Sequence, residues 1–488
     1  MLRSSSFRRS FRDRGYVILL LTLLLALSGI GTASAAPGGP AKGAEIDVSN
    51  CAWPIHTDGR QSGFGFNDRF GAYSGVMMFT DLPGGHWRFS GDYPKARWME
   101  YESYDRLVGS QDSISGQTID ADAGSSNPFA PGAAPYKPGN HYKVDLYNAP
   151  PDQRIKNAHN LFYGAWKNDP TYGKYLHSGI QSVLYRVYAA PGDVDSLGGA
   201  GRPHMSWVVD DPATSPFADS GQACASLEQA HQAYAPWPQI VTGLESINDT
   251  VIAPQIVPFA QRYLQYSVDP TSPPAINVLR PSPNGYGAPE GLWFNSRTPY
   301  VGLAPNKLVG PLLVVRFKAP TFPRIDEGKP ATGNEQTQYW DWCSTQFLTP
   351  LNYTIACRHD SQFTLDKDGW ATLVISTDDE RPVIDGQPYK DWIPMAGNVG
   401  LSVMRQLDPN RQTFPQSPYF MPPVKIGDTN LPIDIVPGQL QQRDIKNHMG
   451  EYFPIAKYCT RAEFEKDRCA TAAPRLTDGI TALLPQSK

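Results

Sequence analysis

Apolar and polar residues alternate in short runs along much of the chain. These runs are rich in β-branched and aromatic residues, as at 142–146 (YKVDL) and 183–188 (VLYRVY), and glycine, proline or aspartate turns bound them. A period of two is typical of a strand that has one buried face. The pattern therefore predicts a mainly β fold built from antiparallel sheets.

A similar series of runs occurs twice along the chain. The matched segments keep the same order and are 86–89 with 314–317, 97–101 with 338–342, 142–146 with 371–375, and 183–188 with 401–405. Coincidence is the alternative, because every β protein alternates in this way. We interpret the series as an internal repeat that forms two tandem jelly-roll-like β-sandwich modules.

The pattern changes between the two series and after the second. Residues 223–234 and 252–266 have helical spacing, residues 269–290 form a proline-rich linker, and residues 461–468 predict one amphipathic helix in the tail. The predicted organisation is a signal peptide at 1–36, a first sandwich at 37–205, a helical insert with its linker at 206–299, a second sandwich at 300–430, and a short disulfide-pinned C-terminal tail at 431–488.

The N-terminal segment has the layout of a secretory signal peptide. Five arginines precede an apolar run at 17–27, and a small-residue cleavage site follows at 33–35. The run is too short to span a bilayer comfortably, although an uncleaved anchor is the alternative. Arg8 and Arg9 leave twin-arginine export open beside the general secretory route. We expect a secreted or cell-envelope protein.

Composition and charge exclude several classes of protein. The 43 glycines and 46 prolines among 488 residues argue against a helical bundle. Loss of the five arginines and one aspartate of the signal peptide changes the net charge from −4 to −8. No basic tract remains, so neither a nucleic acid nor an anionic membrane surface is an expected partner, and the mature chain has no expected membrane span.

The six cysteines are an even number in an exported chain, which predicts disulfides. Closeness in sequence favours two pairs and leaves the third by elimination, although six cysteines allow 15 pairings. The favoured pairs are Cys343–Cys357, Cys459–Cys469 and, by what is left, Cys51–Cys224.

The standard catalytic motifs are absent from the sequence, including the serine-hydrolase elbow, the P-loop and the zinc motif HExxH. The nine histidines are scattered, so no metal site and no cofactor is predicted, although a metal site assembled from distant strands stays open. Glu100 and Asp341 occupy matching positions in the two series. They are candidates for a general acid and base if the modules face each other, and a solvated strand face is the alternative.

Other candidates are ligand-binding residues. Arg186 and Arg405 lie in mid-strand and are suited to bind a carboxylate or sulfate, although such arginines more often pair with a neighbouring acid. His204 is a further candidate, because it places a titratable ring at a loop. The aromatic candidates, which core packing would also explain, are Trp98, Tyr104 and Tyr339.

Several motifs resemble those of known proteins. Residues 76–145, with DLPGGHW and YPKARWMEYESYD, resemble exported bacterial proteins of unknown function. Residues 312–405, with VVRFKAPTFP, YWDWC, DKDGWATLVIST and MRQL, resemble the C-terminal module of the paired domains of unknown function numbered twelve fifty-four and twelve fourteen. The resemblance implies β-rich jelly-roll modules outside the cytoplasm, and it implies no chemistry.

The sequence favours a secreted protein that binds a glycan or an apolar or acidic small molecule between its two β modules. A hydrolase or lyase that uses Glu100 and Asp341, with His204, is one alternative. A structural protein of the cell envelope is the other.

Overall fold

In the computed structural model, the described residues are 40–62, 67–80, 82–106, 109–155, 159–166, 179–234, 276–279, 295–307, 309–346, 353–398, 400–431, 433 and 438–470. They form two β-sandwiches in tandem with few helices, which confirms the predicted mainly β class. The predicted signal peptide and the predicted helix at 252–266 lie outside these residues. None of the helices within them is long and apolar enough to cross a membrane.

The first sandwich consists of two five-stranded sheets. Its strands are β1 (Glu45–Asp47), β2 (Ile55–Asp58), β3 (Gly71–Phe79), β4 (Gly85–Asp92), β5 (Trp98–Tyr104), β6 (Ser110–Ser115), β7 (His141–Asn148), β8 (Leu161–Gly164), β9 (Ile180–Tyr188) and β10 (His204–Val209). Outer sheet 1 has the order β1-β10-β4-β7-β8, and inner sheet 1 has the order β2-β3-β9-β5-β6.

The second sandwich also consists of two main sheets, and it has short edge strands. Its strands are β11 (Asn277–Leu279), β12 (Tyr300–Leu303), β13 (Leu312–Lys318), β14 (Tyr339–Gln346), β15 (Thr354–His359), β16 (Trp370–Ser376), β17 (Val383–Ile384), β18 (Gln387–Pro388), β19 (Trp392–Pro394), β20 (Gly400–Leu407), β21 (Val424–Ile426), β22 (Thr429–Leu431) and β23 (Ile455–Cys459). Inner sheet 2 has the order β11-β12-β20-β14-β15, outer sheet 2 has the order β19-β16-β13-β23, and β17-β18 and β21-β22 are separate hairpins.

The two sandwiches have corresponding strand orders. Read from the opposite edge, outer sheet 1 gives β8-β7-β4-β10, which matches β19-β16-β13-β23, and the first pair is parallel in both sheets. The inner sheets match strand for strand. The four segment pairs aligned in the sequence are β4 with β13, β5 with β14, β7 with β16, and β9 with β20. Each pair therefore occupies the same place in its own sandwich.

Helices cover parts of the sheets. They are α1 (Ser220–Tyr234), α2 (Gly438–Met449) and α3 (Arg461–Asp467), and single 3-10 turns lie at Gly116–Thr118, Pro151–Gln153, Ile325–Glu327, Asp360–Gln362, Asp378–Glu380, Pro418–Phe420 and Gly450–Tyr452. The helices α1 and α3 were predicted. The helix α2 was not, because most of its residues are polar and its apolar face is narrow.

The sandwich boundaries also differ from the prediction. Strand β23 belongs to the predicted tail but pairs with β13, and β11 belongs to the predicted linker but pairs with β12. Both strands are short, so the alternation of apolar and polar residues within them is too brief to predict a strand.

Each sandwich has its own core between its two sheets. Trp87 and Phe89 of outer sheet 1 pack with Tyr101 and Tyr185 of inner sheet 1, and Phe317 packs with Trp340 and Trp342 in the second sandwich. The three favoured disulfides are formed: Cys51–Cys224, Cys343–Cys357 and Cys459–Cys469.

Candidate functional site

The predicted site residues other than His204 lie at the interface where the two inner sheets face each other. Period-two alternation places Trp98, Glu100 and Tyr104 on the face of β5 that points away from its own core. This face is not solvated, because inner sheet 2 covers it. The exposed fraction of the candidate side chains is at most 4%, and they are Trp98, Glu100, Tyr104, Arg186, Tyr339, Asp341 and Arg405.

On the first sandwich, the interface carries an arginine between two glutamates. Arg186 Nη1 donates to Glu100 Oε1 at 3.1 Å and to Glu102 Oε2 at 2.6 Å, and Tyr104 donates its hydroxyl to Glu102 Oε2 at 2.7 Å. Burial raises the pKa of Glu100 to about 7, although the positive charge of Arg186 acts to lower it. We call these four side chains the glutamate cluster.

On the second sandwich, the matching strands carry a related group. Arg405 Nη1 donates to Asp341 Oδ2 at 3.1 Å and lies 2.9 Å from Cys343 Sγ of the disulfide. Tyr339 donates its hydroxyl to Asp68 Oδ2 at 2.7 Å, so an acid of the first sandwich completes this group. Burial, together with the charge of Asp68, raises the pKa of Asp341 well above its usual range. We call these five residues the aspartate cluster.

One residue from each sandwich reaches the cluster of the other. Asp68 lies five residues before Tyr73 and contacts the aspartate cluster, and Asn295 lies five residues before Tyr300 and donates its side-chain amide to Glu100. Asp68 N donates to the Tyr73 hydroxyl at 2.9 Å, and Asn295 N donates to the Tyr300 hydroxyl at 3.1 Å. The two loops therefore share one backbone geometry, and their side chains cross the interface in opposite directions.

A further ion group joins the sandwiches at the start of β5. Arg97 is fully buried, and its Nε donates to Asp326 Oδ1 at 2.7 Å while its Nη1 donates to Asp360 Oδ1 at 2.9 Å. Both aspartates belong to the second sandwich. Arg97 was not a candidate from the sequence, because nothing in its neighbourhood shows which acids it meets.

Two aspartates and two cysteines at the interface have ligand atoms within 4.8 Å of one another: Asp68, Asp341, Cys343 and Cys357. The two sulfurs are joined in a disulfide, so neither is a thiolate. The guanidinium of Arg405 also lies beside Asp341 and would repel a cation. We therefore assign no metal site to this group.

His204 is separated from the other candidates. It begins β10 on outer sheet 1, its side chain is exposed, and its Nδ1 lies 3.2 Å from Ser49 Oγ. Because the interface is formed by the inner sheets, His204 does not join the two clusters.

A cavity of about 300 Å³ lies at one end of the first sandwich. Its wall combines aromatic, aliphatic and polar groups, and it includes Phe79, Thr80, His86, Trp87, Tyr147 and Trp207. The absence of a side chain at Gly85 allows a close approach here, because a Cβ atom would lie 2.3 Å from Val208 O and 2.5 Å from the Trp207 ring.

His86 stands at this cavity within a network of charges. Its Nδ1 lies 2.8 Å from Asp210 Oδ2, its Nε2 lies 3.6 Å from Asp145 Oδ1, and its ring stacks on Tyr147 with centroids 4.3 Å apart. Arg88 binds Asp145 through two hydrogen bonds of 2.7 and 2.9 Å and binds Glu45 at 2.7 Å.

Opposing effects determine the protonation of His86. Burial acts to lower the pKa of His86, but the hydrogen bonds and charges of Asp145 and Asp210 raise it above its usual value. Burial acts to raise the pKa of Asp145, but His86 and Arg88 lower it. The network therefore favours the protonated form of His86 and the ionised form of Asp145.

Sequence reasoning did not identify the cavity or its histidine. Alternation on β4 puts His86 and Arg88 on one face, and alternation on β7 puts Asp145 and Tyr147 on one face. Only the register, in which Arg88 is opposite Asp145, brings these two faces together.

No family model and no curated protein matches the chain. Two solved structures are similar to it. An uncharacterized protein from Burkholderia cenocepacia has a TM-score of 0.42 and 11% identity over 74% of this chain and 80% of its own. The VPA0106 protein from Vibrio parahaemolyticus has a TM-score of 0.35 and 10% identity over 70% of this chain and 86% of its own. The resemblance to the paired domains of unknown function stays a prediction.

Proposed function

We propose that this chain is an exported binding protein and that it holds an uncharged sugar ring, as part of a glycan, in the cavity of the first sandwich. Three disulfides support export, since such bonds persist in oxidising compartments. The matching strand orders support the predicted internal repeat.

The observation that carries the proposal is the composition of the cavity wall. Phe79 and Tyr147 present aromatic surface in front of the buried rings of Trp87 and Trp207, and polar groups such as Thr80 and His86 lie among them. A sugar ring has an apolar face that packs on aromatic rings and hydroxyls at its edge that need polar partners. A volume of about 300 Å³ accommodates one such ring with room for its linkage.

Charge favours a neutral ligand over an acidic one. Behind the cavity, two cations, His86 and Arg88, are opposed by three acids, Asp145, Asp210 and Glu45. Both ring nitrogens of His86 face carboxylates, so its charge is already balanced within the protein. An acidic ligand would meet a network that carries one excess negative charge.

The interface is a less suitable binding site than the cavity. The candidate residues there are buried and bind one another, so a ligand would have to displace an ion pair. The same burial gives no support to the hydrolase or lyase alternative, because Glu100 and Asp341 are closed to a substrate.

The test is calorimetric titration of the mature protein with neutral hexoses and disaccharides and with the matching uronic acids. We expect a neutral sugar to bind and to change the tryptophan fluorescence, and its uronic acid to bind about tenfold more weakly. Tyr147→Ala should weaken binding about tenfold. The control is Tyr353→Ala, since Tyr353 is 41% exposed on the second sandwich. Equal affinity for the uronic acid, or unchanged binding by the Tyr147 variant, would refute the proposal.

A further inference from the structure

The two crossing residues make unequal contacts across the interface. Asn295 Oδ1 accepts from Arg297 N at 2.8 Å, and Asp68 Oδ1 accepts from Phe70 N at 2.8 Å, so both side chains are held in the same way by their own loops. The second atom of each side chain points across the interface. For Asn295 it is an N–H donor that meets the carboxylate of Glu100, whereas for Asp68 it is an oxygen on the side of Asp341.

Asp68 reaches across the interface and therefore brings its carboxyl group close to that of Asp341. Both side chains have no exposed surface, and their ligating oxygens lie within 4.8 Å of each other. Arg405 supplies one positive charge to the pair. Two ionised carboxylates at this separation, away from water, repel each other strongly, and one proton shared between them removes the repulsion.

We propose that Asp68 and Asp341 share one proton and that this proton makes closure of the two sandwiches depend on pH. The proposal goes beyond ligand binding, because it concerns the interface and not the cavity. At low pH the protonated pair attracts, as the amide of Asn295 attracts Glu100. At higher pH the proton is lost, and the repulsion weakens the contact between β14 and the Asp68 loop.

Other titratable or charged groups face this pair from each element packed on it. They are Arg405 on β20, Tyr339 on β14, Tyr73 on β3, Tyr300 on β12 and His359 on β15. Burial raises the pKa of each of these three tyrosines, so they stay neutral between pH 5 and pH 8. His359 stands opposite Asp341 in the register, and its Nδ1 lies 3.3 Å from Asp360 Oδ1; a His359 variant is the control in the test below.

The raised pKa of Asp341 agrees with the geometry, since burial and the neighbouring charge of Asp68 both favour its protonated form. The matched arrangement at Asn295 provides the natural control. The side-chain amide of Asn295 carries its N–H hydrogens at every pH. Asn295 can therefore donate a hydrogen bond to Glu100 without taking up a proton.

The test is amide hydrogen exchange of β14 in the full mature chain from pH 5 to pH 8, with rates corrected for the intrinsic effect of pH. In the wild type, we expect protection of β14 to fall at least tenfold over this range. Asp68→Asn copies the Asn295 arrangement and should remove this fall, while His359→Gln should leave it in place. The same loss of protection in wild type and Asp68→Asn would overturn the proposal.

Two further variants keep the proposal falsifiable if Asp68→Asn does not fold. Asp341→Asn removes the second carboxyl group and should also remove the fall in protection. Asn295→Asp places a second carboxyl group against Glu100 and should cause a larger pH-dependent loss of protection on β5 than Glu100 alone causes in the wild type. Asn295→Asp without such a loss would contradict the proposal, because a buried carboxyl pair would then tolerate the absence of its proton. Sugar binding to the cavity should be unaffected in all these variants, so the two proposals fail separately.

Discussion

The two sandwiches share a strand order but differ on their outer faces. On outer sheet 2, Val314 and Val374 point away from the core and are covered by Phe464 of α3, which the Cys459–Cys469 disulfide anchors. On outer sheet 1, the position that matches Val314 is His86, and it carries the charge network. One strand plan thus supports an apolar face that is covered and a polar face beside a cavity. Under the proposed function, the covered face of the second sandwich contributes stability, and the polar face of the first stands beside the binding cavity.

The inner faces show the opposite relationship, since both carry a buried arginine on the same strand position. Arg186 is opposite Glu100 and Arg405 is opposite Asp341 in the strand register. The partners have diverged around this shared pair, because Glu102 of β5 corresponds to Cys343 of β14. In the glutamate cluster, the second acid is Glu102, which lies on the same strand as Glu100. In the aspartate cluster, the second acid is Asp68, which comes from the first sandwich.

The largest expected effect comes from removing a buried arginine. Arg186→Met leaves two carboxyl groups without their cation, and we expect a loss of about 3–5 kcal/mol in the free energy of unfolding. Arg405→Met should cost less, since the remaining acids can share a proton. Urea unfolding followed by far-ultraviolet circular dichroism measures both. Equal stability of Arg186→Met and the wild type would show that the ion cluster contributes nothing to the interface.

The next effect tests the two outer faces. Phe464→Ala uncovers the apolar face of the second sandwich, and we expect a loss of about 3 kcal/mol. The matched change on the first sandwich is Tyr147→Ala, whose half-buried ring should cost about 1 kcal/mol. Urea unfolding of the two variants compares them directly. A larger loss for the tyrosine variant would contradict the division between a stabilising face and a binding face.

The pH dependence of Glu100 has a definite sign. Its pKa is raised from 4.5 in the ordinary state to about 7 in the fold, so the folded protein holds a proton that the unfolded chain releases. The contribution of Glu100 to stability is therefore complete below pH 4.5 and is lost as the pH rises to 7. Melting temperatures of the wild type and Glu100→Gln should diverge over this window. A constant difference would show that Glu100 does not titrate there.

The smallest effects compare two arginines at matching positions on the outer sheets. Arg88→Ala removes a two-fold hydrogen-bonded contact with Asp145 and should cost about 1–2 kcal/mol. Arg316 binds Asp366, but its side chain is 47% exposed, so Arg316→Ala should cost less than about 1 kcal/mol. Thermal unfolding at low and high salt separates the two, since salt screens the exposed pair more strongly. The reverse order would mean that the network around His86 is not held by Arg88.

Much of the fold was predictable because its determinants are local. Alternation located the central strands, and closeness in sequence led to two of the disulfides and left the third as the remaining pair. The short edge strands β11 and β23 were missed, since three to five residues carry little periodicity. Among the candidate residues, Glu100, Arg186, Asp341 and Arg405 do meet at one interface, whereas His204 lies elsewhere.

The alternation of apolar and polar residues and the positions of the turn residues can be read from the amino-acid sequence. Together they establish where the central strands lie and which side chains share a face of a strand. The sequence did not determine what covers each polar face, because a period of two distinguishes the faces of a strand without naming their neighbours. The folded structure was needed to show that Glu100 and Asp341 are buried against the opposite sandwich. It was also needed to show that Asp68 reaches across the interface to Asp341 and that His86 lines a cavity. The physical reason is that these contacts join residues far apart in the chain, and packing between sheets alone brings them within hydrogen-bonding distance.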